Sequence, residues 1–173
     1  MPIANFRLPI GAAQSAIIRH EGELAIGNWQ SEMIEVINRQ RRRKIDLNRW
    51  RKFGEKALQV IGASERNATV VFVGDDAIRK LNRQFRGRNY ATDVLSFPSQ
   101  AEPFETESKA DLGEVVISVQ RATAQARENS LSFANEVEQL ILHGLLHLSG
   151  YDHETDRGQM NRLELKLRKK LGI

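Results

Sequence analysis

The sequence has no cysteine among its 173 residues. A disulfide scaffold, a cysteine nucleophile and a thiolate metal site are thereby excluded, and any metal must rest on histidine and carboxylate. Also missing is an apolar run approaching the roughly 20 residues that cross a bilayer. The opening Met1-Pro-Ile-Ala-Asn-Phe-Arg7 lacks the basic segment and apolar core of a secretory signal. A cytoplasmic protein with no membrane partner is the expectation. No internal repeat appears. An acidic excess is lacking too: 26 Lys and Arg oppose 22 Asp and Glu, for a net charge of +4, which mildly favours a polyanionic partner.

What is present reads as one soluble domain. Hydrophobic residues make up 40% and charged residues 28% of the chain, and this length buries a core without disulfides or structural metal. Basic charge is concentrated: Arg39, Arg41, Arg42, Arg43, Lys44, Arg49, Arg51 and Lys52 are opposed only by Asp46. Such a cluster fits either a solvated loop or a nucleic-acid footprint.

Residues 1–31 show no sustained period and form an N-terminal extension of unassigned role, leaving residues 32–173 as the domain. Ile34, Val36 and Ile37 make a β-compatible run. After Asp46, a candidate N-cap, Leu47, Trp50, Phe53, Ala57, Leu58 and Ile61 recur at helical spacing until Gly62. A strand over Ala68 to Val73 leads to Gly74-Asp75-Asp76, whose last residue is expected to cap a helix with Ile78, Leu81 and Phe85 on one face. Thr92 to Pro98 reads as a strand closed by a proline that cannot extend a central ladder. A mobile acidic loop follows over 100–111, then a strand from Leu112 and a helix capped by Ser118. The last two helices run from Phe133 to Leu148 and from a cap at Thr155 or Asp156, the latter with Met160, Leu163, Leu167 and Leu171 on one stripe. This order predicts a single α+β domain: a mixed sheet of about four strands packed with about five helices, the histidine-bearing helix central.

Three of the four histidines fall in His143-Gly-Leu-Leu-His147-Leu-Ser-Gly150-Tyr-Asp-His153. Helical residues four apart share a face, so His143 and His147 present ring nitrogens to one point. Gly150 permits a left-handed reversal that returns His153 to it. A lone histidine on an apolar helix is usually a core residue with one satisfied hydrogen bond. Two in the almost wholly apolar run from Val137 to Leu148 need a partner that offsets their desolvation. One zinc ion on His143, His147 and His153, with a position left for water, is such a partner.

The spacing His-x3-His-x2-Gly-x2-His is that of metzincin zinc peptidases, where the first x is a glutamate acting as general base. Here it is Gly144, so a peptidase becomes the secondary reading, and glycine suits close packing of the helix instead. Arg86 stands where a helix yields to Gly87 and can reach a neighbouring cleft to grip a phosphate bidentately. On spacing alone, an ordinary surface arginine is the better reading.

The run His143-Gly144-x-Leu-His147-Leu-x-Gly150-Tyr151-Asp152-His153, with Leu81-Asn82-x3-Arg86 and Thr92-Asp93-Val94-Leu95-Ser96-Phe97-Pro98 upstream, resembles the YbeY family of bacterial endoribonucleases and rRNA maturation factors. Leu112-Gly113-Glu114-Val115-Val116-Ile117-Ser118 is similar to that family's Leu-Gly-Asp strand, and Met160 with Glu164 to its Met-x3-Glu. The likeness runs from about Met33 to the C-terminus. Departures are Glu114 for Asp, Ala91 for Pro, and the long N-terminal extension.

The resemblance implies a zinc ion on His143, His147 and His153, with Arg86 joining His143 and His147 as catalytic residues in one cleft. It implies single-stranded RNA as substrate, and a part in maturing the 3′ end of 16S rRNA and in ribosome quality control. The small ribosomal subunit, a ribosomal protein and an assembly GTPase are the implied partners. In such a site zinc activates water or polarises a phosphoryl oxygen while Arg86 neutralises charge on the phosphate. No general base is visible in the triad, and Asp152 reads first as a structural residue. Besides the peptidase, a non-catalytic RNA-binding assembly factor, its metal only holding the fold, is the alternative.

Overall fold

A computed structural model describes residues 33–99, 111–153 and 156–173. The N-terminal extension, nearly all of the acidic loop and Thr155 lie outside these residues. Within them the strands are β1 (Ile34–Asn38), β2 (Asn67–Val73), β3 (Val94–Pro98) and β4 (Asp111–Ser118). The helices are α1 (Leu47–Ile61), α2 (Asp75–Arg86), α3 (Val119–Glu128), α4 (Phe133–Leu148) and α5 (Gln159–Leu171). The strands make one sheet in the order β1-β2-β4-β3. β1 and β4 run parallel to β2, and β3 pairs antiparallel with β4. The domain is therefore α+β with a mixed sheet, as the sequence predicts.

Central strands buried on both faces need apolar side chains at almost every position, which β2 and β4 supply. The two-residue period then sorts them. Val70, Phe72, Val115 and Ile117 belong to the larger core with Leu58 of α1, Ile141 and Leu145 of α4, and Met160 of α5. Val71, Val73 and Val116 belong to the second core, with Ile78 and Leu81 of α2 and Leu95 of β3. Within α4, Val137, Ile141, Leu142, Leu145 and Leu146 are fully buried. Pro98 ends β3 at the sheet edge, where its missing N–H breaks no central ladder.

Helix starts follow the short polar residues before them. Asp46 accepts the Arg49 N–H at 3.0 Å, Ser118 that of Arg121 at 3.3 Å, and Ser132 that of Asn135 at 3.0 Å. Two starts depart from expectation. α2 begins two residues earlier, with Gly74 as N-cap and no side-chain cap, so Asp75 and Asp76 lie inside the first turn. There their charge favours the helix dipole, and Asp75 accepts the Ser118 hydroxyl. α5 has Gly158 as N-cap, yet Asp156 delivers the capping chemistry from two residues earlier, accepting the Gly158 and Met160 N–H groups at 2.6 Å each. Among the described residues, no helix is long and apolar enough to cross a membrane.

Candidate metal centre

The first two histidines are positioned by the contact of α4 with the sheet. A Cβ at Gly144 would lie 2.5 and 2.8 Å from Val115 Cγ1 and Cγ2, and 3.3 Å from Ser96 Oγ. Glycine thus lets α4 lie close on β4. Position 144 packs on the sheet, and a side chain there has no room without displacing Val115. At the far end of α4, Gly150 has φ of 93°. Its N–H donates to His147 O at 3.0 Å, and that of Tyr151 to Leu146 O at 3.1 Å, the bond pair of a Schellman end.

The reversal brings His153 back. Its ring centroid lies 5.4 Å from that of His143 and 5.0 Å from that of His147. One ligand-capable atom from each of the three residues lies within 4.8 Å of the others. His143 Nε2 and His147 Nε2 are 3.2 Å apart, close to the roughly 3.3 Å that two tetrahedral ligands reach at about 2.0 Å from one ion. These three imidazoles can hold a metal ion.

The protonation pattern fits that task. His143 Nδ1 donates to Glu164 Oε2 at 3.0 Å, which leaves the lone pair on Nε2. Glu164, on α5, is buried, and its other oxygen accepts from Arg168, which also donates to Gln139 at 2.8 Å. Burial pushes the Glu164 carboxyl up, but the hydrogen bonds from His143 and Arg168 outweigh it and hold the pKa below the ordinary value. Burial, followed by the His143 and His153 rings, lowers the His147 pKa to about 4; Arg86 adds to this and Asp152 opposes it. His147 is therefore neutral near pH 7 and has a lone pair to give.

The triad opens into a cleft of about 470 Å³. Its walls come from Thr92 to Ser96 around β3, Gln125 and Asn129 by α3, Glu136, Gln139 and Leu140 of α4, Arg168 of α5, and Arg86. Arg86 is the last residue of α2, and the chain beyond it is tied down by buried Asn82, whose side chain donates to Tyr90 O at 2.8 Å. The four residues singled out from sequence, Arg86, His143, His147 and His153, thus line one cleft. The basic cluster from Arg39 to Lys52 does not line it. Part of that cluster is structural: the Arg43 guanidinium lies 3.9 Å above the Phe133 ring, and Arg49 pairs with Glu138 at 3.0 Å. Sequence reasoning quoted Glu164 as part of a motif but gave it no task. It passed over Glu136, Gln139 and Arg168, although Glu136 and Leu140 share the helical face of His143 and His147.

Fold and cleft define a class: an α+β protein with three convergent imidazoles and an arginine fork in a common recess. The family model described as Endoribonuclease YbeY matches residues 35–172. Among relatives named Endoribonuclease YbeY, that of Geobacter metallireducens is 37% identical over 141 residues, covering 81% of this chain and 94% of its own. That of Solibacter usitatus is 50% identical over 103 residues, covering 60% and 65%. This chain belongs to the YbeY family of endoribonucleases, hydrolases acting on RNA. Its fold is similar to the solution structure of TM1509 from Thermotoga maritima, with a TM-score of 0.55 and 28% identity over 80% of this chain and 89% of that one.

Proposed function

We propose that residues 32–173 form a zinc-dependent endoribonuclease specific for single strands, acting in maturation of the 16S rRNA 3′ end and in ribosome quality control. The observation that carries this reading is the convergence of three histidine donor atoms within 4.8 Å in a cleft that Arg86 also lines. Three imidazoles, one oriented by a buried carboxylate, suit Zn2+, whereas Mg2+ and Ca2+ take oxygen ligands. Bound there, the ion supplies Lewis acidity for phosphodiester hydrolysis.

The chain's own groups do the rest. Glu164 fixes the His143 ring and its tautomer, and burial keeps His147 neutral. Arg86 offers a planar fork to the phosphate oxygens and meets the negative charge that grows as water attacks phosphorus. Peptide hydrolysis of the metzincin type is disfavoured because position 144 packs on Val115. The cytoplasm is the compartment, and the small ribosomal subunit, a ribosomal protein and an assembly GTPase are the partners that family likeness supports.

The test incubates zinc-loaded parent, His147→Ala and Arg86→Glu proteins with single-stranded rRNA, alone and with small subunits. His147→Ala is expected to lose both metal and cleavage, and Arg86→Glu to keep metal while slowing turnover by about 10²–10³-fold. Full cleavage by metal-free His147→Ala refutes the proposal. RNA binding without cleavage under any condition identifies an assembly factor, and zinc-dependent cleavage of peptides alone identifies a peptidase.

A further inference from the structure

α4 presents more than histidines to the cleft. Glu136 lines it seven residues before His143, on the same helical face and about 10 Å along the axis. It is only 3% exposed, and its Oε2 is buried with no hydrogen-bond partner among the described residues. Arg168 lines the same cleft, and its Nε is likewise buried and unpartnered, although its terminal nitrogens reach Gln139 and Glu164. Buried polar atoms are nearly always paired, so an orphan acceptor and an orphan donor in one recess call for a ligand offering the complement of each. Gln139 bonded to Arg168 and Asn129 beside the Glu136 carboxyl put carboxamides, which both donate and accept, next to the two orphans.

Phosphate does not suit this end of the cleft, because Glu136 repels it and the Arg168 charge is already engaged by Glu164. A flat edge that donates and accepts side by side does suit it. We propose that this end is a base-binding subsite, where Glu136 and Arg168, flanked by the carboxamides of Asn129 and Gln139, read the edge of one unpaired nucleobase. The subsite rests on the ribonuclease reading of the cleft and deepens it. In a duplex that edge is already paired, so only a single-stranded or extruded base can enter, which gives strand preference a structural origin.

The test uses the full zinc-loaded chain and fluorescent single-stranded RNA with phosphorothioate linkages that slow hydrolysis, one abasic residue being walked along the oligonucleotide. Anisotropy is expected to show about a tenfold loss of affinity at one position and less than about a twofold change elsewhere. Glu136→Ala is expected to flatten this profile. Glu136→Gln, which exchanges an acceptor for a donor at nearly constant shape, is expected to alter the preference among the four bases at that position. A flat profile in the parent overturns the subsite, as does a profile unchanged in Glu136→Ala. If Glu136→Ala fails to fold by circular dichroism, the Glu136→Gln panel decides, and an unaltered base preference overturns the subsite. Cleavage of unmodified RNA is measured in parallel. Cleavage with a flat profile removes the subsite and leaves the nuclease. A position-dependent profile without cleavage supports the subsite and removes the nuclease.

Discussion

Replacing Gly144 by alanine adds one methyl where α4 meets β4, and the net effect is expected to be destabilising. Alanine favours a helix over glycine by about 0.8–1.0 kcal/mol. Against this, the new Cβ would lie 2.5 and 2.8 Å from the Val115 methyls, where carbon pairs settle at about 3.5–4.0 Å. Val115 has little freedom to move aside, being fully buried in a central strand and stiff at its branched Cβ. The helix must therefore lift from the sheet by about 1 Å, and overpacking of this kind costs about 1–3 kcal/mol, more where neighbours are rigid. With the upper part of that range, which the rigid Val115 selects, the balance is a loss of about 1–2 kcal/mol, which for a chain of this length lowers Tm by about 2–8 °C. The assay is a double-mutant cycle with Val115→Ala, read by thermal and urea unfolding. With the valine methyls gone, the helix propensity of alanine is expected to show through, giving a coupling energy of about 1–3 kcal/mol. A Gly144→Ala protein as stable as its parent, or one that loses as much without Val115 as with it, refutes the packing account. His143 and His147 flank the lifted segment, so metal titration of the same variant is expected to show weaker binding.

Other perturbations act on the supports of the site. Glu164→Gln removes the charge that orients His143, and competition with a chromophoric chelator is expected to show metal affinity about 10–100-fold weaker; unchanged affinity would show that the 3.0 Å bond has no bearing on the metal. Asn82→Ala leaves the Tyr90 carbonyl without its donor and frees the chain after Arg86; about 1–3 kcal/mol of stability is expected to go, with slower RNA turnover at full metal content. His147 sets a pH dependence in the metal-free protein. Its pKa falls from 6.5 to about 4 on folding, so between these values the unfolded chain binds more protons and stability declines as pH drops, levelling off below the lower value. The total is at most about 3 kcal/mol. Chelated parent and His147→Gln are compared by urea unfolding at several pH values across that window, which cancels the opposing pH dependence of half-buried Glu114 and buried Glu136, whose pKa values burial raises; an equal slope in both proteins removes His147 as the cause.

The sequence made the layout of this domain legible wherever the signal is local. The apolar runs of β2 and β4, the helical period after Asp46 and the stop at Gly62 are short-range patterns, and each appears as an element. The histidine triad was legible because its geometry is local too: four residues of helix and one glycine reversal set it. What packing alone brings together was not legible. Glu164 reaches His143 across 21 residues because α5 docks on α4, and no spacing within either helix foretells that bond. Val115 and Gly144 meet across a sheet-to-helix contact in the same way. Arg86 was a surface arginine by its own surroundings; it lines the cleft of the histidines only because the fold brings the end of α2 and the β3 segment to that cleft as well. The start of α2 escaped because its N-cap, Gly74, carries no capping side chain, whereas at α5 the expected Asp156 does cap, from two residues outside the N-cap.

The carboxylates near the triad each have a place in the fold. Position 144, where a metzincin spacing would put one, is filled against Val115. Glu164 is held on both oxygens by His143 and Arg168. The acidic residues lining the cleft, among those described, are Asp93 and Glu136. Asp93 Oδ1 accepts the Thr92 hydroxyl at 2.8 Å and the Val94 N–H at 2.9 Å, which commits it to the turn before β3. Glu136 stands about 10 Å along α4 from His143, beyond hydrogen-bond reach of a water at the triad. Asp152 is the carboxylate whose charge opposes the lowering of the His147 pKa. Because it precedes His153 directly, a substitution that shifts Asp152 is expected to shift the third histidine with it, at the turn that Gly150 permits.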